Sequence, residues 1–126
     1  MIDNNMEFVD IFEGKLCEYT GAKYAVCTDC CTNAILISLH LKKVLGLISG
    51  AVKVPSRTYM SVPMTLKLFG FDVQFDKSNQ WEEYYQIHDS RGKNGTGVYD
   101  CAVFFKRNMF KDVQGDLNKL ACVSFQ

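Results

Sequence analysis

Thr32-Asn33-Ala34-Ile35-Leu36-Ile37-Ser38-Leu39-His40-Leu41-Lys42-Lys43-Val44-Leu45-Gly46-Leu47, followed shortly by Ala51-Val52-Lys53-Val54-Pro55, is the stretch on which the fold turns. In its first part Ile35, Leu36, Leu39, Val44 and Leu45 leave little polar face, which predicts a helix sandwiched in the interior. Ala51–Val54 predicts a strand that Pro55 closes. Working toward the N-terminus, Lys23–Cys27 predicts a short strand bounded by Gly21 and Asp29. Before it, Phe8, Ile11, Phe12, Leu16 and Tyr19 recur at helical spacing over Glu7–Tyr19. Gly21 stands where a left-handed capping residue is favoured.

Working toward the C-terminus, Ser61–Phe69 predicts a helix, with Ser61 able to cap it and Pro63 in its first turn. Asp72–Phe75, Thr96–Tyr99 and Ala121–Phe125 predict further strands. Lys77–Gly95 is polar, carries Trp81, Tyr84 and Tyr85, and is expected to be a loop with at most one short element. Phe104–Phe110 is ambiguous between helix and strand. The alternation predicts an α/β domain, three-layered α/β/α, with a mostly parallel sheet covered on both faces.

The 126 residues suffice for one domain. With 14 basic and 14 acidic residues the formal charge is zero, so no global positive field draws nucleic acid or an anionic membrane. The longest apolar runs, such as Ala34–Leu39, are too short to span a bilayer. Met1–Asn5 has no signal-peptide character. The six cysteines sit mostly inside apolar stretches, which favours buried reduced thiols in a cytoplasmic protein over a disulfide scaffold.

In open α/β sheets ligands bind beyond the carboxyl ends of strands. Four candidates fall there. Thr28-Asp29-Cys30-Cys31-Thr32 precedes the apolar helix, whose free amides suit a phosphate; otherwise it is a plain capped turn. Tyr59, in Ser56-Arg57-Thr58-Tyr59, can stack on a planar ring or be one more core aromatic. Asp100 ends a buried strand, where a carboxylate is costly unless paired; it can hold a cationic ring nitrogen or cap a turn. Ser124 can bind a ligand or only neighbouring backbone.

Cys27-Thr28-Asp29-Cys30 offers a competing thiol-redox reading, since helix amides lower a thiol pKa. Zinc is disfavoured, because His40 and His88 pair convincingly with none of the cysteines. Arg91, Lys93, Lys106, Arg107 and Lys111 make the later part locally basic, as a solvated face does.

The order of these sites carries more than any one. Phe12-Glu13-Gly14-Lys15-Leu16-Cys17-Glu18-Tyr19-Thr20-Gly21-Ala22-Lys23-Tyr24-Ala25-Val26 strongly resembles the opening of the DegT/DnrJ/StrS aminotransferases, pyridoxal-phosphate enzymes of the aspartate aminotransferase fold. The resemblance continues through Val54–Tyr59, Val98–Ala102 and Ala121–Phe125. It implies that Cys30-Cys31-Thr32 matches the family's phosphate-binding Ser-Gly-Thr turn, with Cys31 in place of the glycine. It implies that Tyr59 stacks on the pyridine ring, Asp100 pairs with the ring nitrogen, and Ser124 contacts the phosphate. The Gln or His expected near the ring hydroxyl falls on Val103.

Two departures stand out. Asp76–Asp100 is too short for the strand and helix the family places before its aspartate strand. The lysine that the family links to the cofactor follows the serine matched by Ser124, and neither Lys106 nor Lys119 is at that place. The resemblance therefore implies a single partial domain over residues 1–126, the N-terminal part of the cofactor-binding large domain without its small domain. It assigns no catalytic residue and expects no transamination by this chain alone. The complete protein is expected to aminate a keto-sugar nucleotide as a dimer. A non-catalytic assembly module of the same fold is the other alternative.

Overall fold

A computed structural model describes residues 4–79, 83–92, 95–111 and 118–125; Trp81, Lys93 and Asn94 of the expected loop lie outside them. The chain forms two compact units, one of Met1–Thr28 and Phe105–Leu117, the other of Asp29–Phe104 and Asn118–Gln126.

The first unit is built on helix α1, Asn4–Thr20. Gly21 ends it as expected: its φ is +79° and its N–H donates to the Cys17 carbonyl at 2.9 Å. The carbonyls of Tyr19 and Thr20 accept from the N–H groups of Asn108 (2.9 Å) and Phe110 (2.8 Å). Residues 105–110 thus serve the end of α1 from a series of turns. The Tyr19 ring stacks on Phe105 at 5.2 Å, with the Arg107 guanidinium 4.7 Å from its centre. The strand expected over Lys23–Cys27 does not form; Tyr24 and Val26 are exposed there. A strand needs a neighbour to accept its amides, and the Cys27 N–H instead donates to the Glu13 carboxylate at 2.8 Å.

The second unit holds α2 (Cys31–Val44), β1 (Val52–Pro55), α3 (Ser61–Leu68), β2 (Val73–Asp76), β3 (Tyr85–Asp89), β4 (Gly95–Cys101) and β5 (Leu120–Val123). The sheet order is β2-β1-β3-β4-β5. β1 runs parallel to β2 and β4 to β5, while β3 is antiparallel to both β1 and β4. All strands but β3 therefore point one way, and the α/β class stands with a mixed sheet. A parallel neighbour needs a crossover of about a dozen residues or more, which the segment before β4 has no room for. The chain fills the slot between β1 and β4 with a hairpin strand instead.

Ile35 and Leu39 of α2, Val62 and Leu66 of α3, and Val52, Val54, Ile87 and Val98 of the sheet form one core. α2 is not sandwiched as expected. It buries the stripe Ile35, Leu39 and Lys42 and exposes Ile37, Leu41 and Val44. A helix lying on a sheet buries one stripe, whatever the composition of its remaining face.

β4 carries a bulge. Its register with β3 shifts between Ile87 and His88, and Gly97 adopts φ +77°. The Thr96 hydroxyl donates to the Ile87 carbonyl at 2.5 Å, and the Gly97 N–H donates to the Gln86 side-chain oxygen at 2.9 Å. At the opposite end of β3, the Asp89 carboxylate gathers the N–H groups of Ser49, Gly50 and Arg91 at 3.0, 3.0 and 3.1 Å.

Candidate functional site

The registers Tyr85↔Asp100 and Cys101↔Val123 put the ends of β4 and β5 at the sheet edge where β3 begins. β1 ends at that same edge, because Val52 pairs with Asp89 at the far end of β3. The first turn of α2 arrives there too: the Cys31 thiol donates to the Cys122 carbonyl at 3.5 Å. Four of the five predicted site residues join this edge through hydrogen bonds or as strand ends.

Asp100 is the centre of it, only 2% exposed. Its carboxylate accepts the Ala102 N–H at 3.0 Å and the Tyr85 hydroxyl. Burial raises its pKa, and those two donors pull the other way. The thiols of Cys31, Cys101 and Cys122 surround it, each pushed up to about 12, first by burial and then by Asp100 and the neighbouring sulfurs. At neutral pH these thiols are uncharged. Among the described residues no cation pairs with Asp100.

Thr32, in the first turn of α2, shares a hydrogen bond of 3.0 Å with the Ser61 hydroxyl. Ser61 is therefore not the cap of α3; it is the first helical residue after Met60, and its hydroxyl reaches the start of the other helix. Ser124 follows directly on β5 and is half-buried. Tyr59 lies on the loop between β1 and α3, 70% exposed, with its carbonyl accepting the Val62 N–H at 3.1 Å. Its neighbour Thr58 enters the cluster, 2.9 Å from the Tyr85 hydroxyl.

Thr58, Ser61, Tyr85, Cys101 and Cys122 were given no role in the site from the sequence, Ser61 being read only as a helix cap. The one signal near Tyr85 is that Tyr85-Gln86-Ile87-His88-Asp89 alternates as a half-buried strand does, over too few residues to stand alone. The redox reading gains no support. Partial burial and then the Glu13 carboxylate push the Cys27 thiol up, opposite to what a reactive thiol needs. Among the described residues no cluster of three or more His, Cys, Asp or Glu side chains could hold a metal ion, and no helix is long and apolar enough to cross a membrane.

A model of the DegT/DnrJ/EryC1/StrS aminotransferase family matches residues 2–86. The chain belongs to that family. The match takes in Cys31, Thr32 and Tyr59 of this aminotransferase-family chain and ends within β3, ahead of Asp100 and Ser124. The family is in general dependent on pyridoxal phosphate. No curated protein and no solved structure matches the chain.

Proposed function

We propose that the sheet edge around Asp100 holds pyridoxal phosphate, in a protein that transfers an amino group to a keto-sugar nucleotide. The observation that carries this reading is the state of Asp100. A carboxylate buried to this degree is costly without a counter-charge, and its two donors, Ala102 and Tyr85, are both neutral. No described residue supplies that counter-charge, and a protonated ring nitrogen would supply it.

The other residues suit the remaining parts of the cofactor. The first amides of α2, at Cys31 and Thr32, have no partner inside the helix and suit a phosphate, helped by the Thr32 hydroxyl. Cys31 replaces the family's glycine, but an amide serves whatever its side chain. Ser124 lies at the end of the adjoining strand and suits the same phosphate. Tyr59 supplies an aromatic face from the loop above. Bound there, pyridoxal phosphate supplies a ring that withdraws electrons from a carbanion, an ability its nitrogen keeps while Asp100 holds the proton on it. The proposal assigns no catalytic lysine to Lys106 or Lys119, and so expects binding without amino transfer when this chain is tested by itself. It takes the protein to be a cytoplasmic dimer; the apolar side chains exposed along α2 support an association surface.

The test is a titration of the chain with pyridoxal phosphate, followed by visible absorbance, beside Asp100→Asn. A charge-assisted hydrogen bond is worth about 1.5–3 kcal/mol, so the variant is expected to bind roughly 10- to 100-fold more weakly. Equal binding by both proteins would overturn the reading.

A further inference from the structure

Among the described residues, four side chains from four different elements face Asp100. Cys31 comes from α2, Tyr85 from β3, Cys101 from β4 itself and Cys122 from β5. Of these, the Tyr85 hydroxyl bonds to the carboxylate, and Tyr85 is its cross-strand partner in the sheet. Tyr85 is 2% exposed. An ionised carboxylate can only accept, so in that state the single phenolic proton points to Asp100. The Thr58 hydroxyl, 2.9 Å away, must then be the donor to the Tyr85 oxygen. The result is a directed chain of hydrogen bonds: Thr58 to Tyr85 to Asp100.

We propose that Tyr85 is the positioning residue of Asp100, fixing the carboxylate's orientation and keeping it ionised so that it can accept a ligand's N–H. Asp100 has oxygen sites beyond those used by Ala102 and Tyr85, and these are what a ring nitrogen would occupy. The loop that carries Tyr59 is tied to the same chain through Thr58. The ring-facing loop and the nitrogen-facing carboxylate are thereby held by one phenol. That phenol arrives on β3, the strand that runs against the rest of the sheet.

The ligand half of this inference rests on the function proposed above; the effect of Tyr85 on Asp100 does not. The decisive experiment therefore uses the ligand-free chain. With 13C-labelled aspartate, the Asp100 carboxyl signal is assigned by its loss in Asp100→Asn and titrated with pH in the native protein, Tyr85→Phe and Thr58→Val. Phe keeps the ring and removes only the donor. Ionisation of Asp100 is expected to move upward by about one pH unit in Tyr85→Phe, a tenfold change, and by less in the same direction in Thr58→Val. An unchanged midpoint in a folded Tyr85→Phe overturns the proposal. Should Tyr85→Phe not fold, Thr58→Val decides alone, because loss of its bond weakens the phenol as a donor and an unchanged midpoint there overturns it equally. In a second arm, the pH range over which pyridoxal phosphate binds should shift upward with the Asp100 midpoint. A shifted midpoint with no binding by any form would sink the cofactor reading and leave the role of Tyr85 standing.

Discussion

Gly97→Ala tests whether the bulge in β4 is held by close backbone approach or only by glycine's freedom. Gly97 sits at φ +77°, and a Cβ added there would lie 2.1 Å from the Asn118 carbonyl oxygen and 3.2 Å from the Lys42 ammonium. That carbonyl is the acceptor for Lys42, a lysine only 4% exposed. The left-handed backbone alone costs an alanine about 1 kcal/mol. The added atom must also push apart two paired strands and a buried lysine, and overpacking of that kind costs about 1–3 kcal/mol. The expected loss is about 3 kcal/mol. Gly70→Ala supplies the control, since Gly70 has φ +88° and nothing within 4 Å of a Cβ. It should lose only the backbone share, about 1 kcal/mol. Urea unfolding followed by circular dichroism should separate the two midpoints by about 1 M, with Gly97→Ala the weaker. Coincident midpoints would show that the Asn118 approach is immaterial. Asp100 lies three residues further along the same strand, so the same variant should also disturb its carboxyl titration.

Asp89→Ala removes the acceptor of three backbone N–H groups and should cost about 2–3 kcal/mol at pH 7. Those hydrogen bonds outweigh burial and hold the Asp89 pKa below its ordinary value, so its contribution is present above about pH 4 and is lost as pH falls through the folded value. Thermal midpoints of native and variant should accordingly converge in acid; a gap as wide at pH 2 as at pH 7 would contradict this. With their thiols at about 12, Cys31, Cys101 and Cys122 should react with iodoacetamide at pH 8 roughly a thousandfold more slowly than in the unfolded chain. Mass spectrometry of the labelled protein reads this out, and labelling of Cys122 at the unfolded rate would count against the buried cluster.

Helical spacing and its stops located the three helices of the described residues, because each carries its own periodicity and its own terminator: Gly21 after α1, the glycine-marked stretch after α2, Gly70 after α3. The strand at Lys23–Cys27 failed for the converse reason. An apolar alternation says what a segment could pair with, and only the tertiary structure says whether a partner is there. Tyr85–Asp89 erred the other way, hidden in a polar stretch whose alternation was too short to stand alone. For the site, Cys31, Thr32, Asp100 and Ser124 could be placed at strand and helix ends from local order. Tyr85 and Thr58 could not, because Tyr85 meets Asp100 only across the sheet and Thr58 reaches it only through Tyr85.

What the residues determined by themselves is the α/β class, the family and the chemistry available at the strand ends, all of which follow from local pattern and residue type. The tertiary structure decided that β3 runs antiparallel, since the short connection before β4 leaves no room for a crossover. It also decided the surroundings of Asp100, because burial and the approach of one phenol from a neighbouring strand depend on distances between segments far apart in sequence.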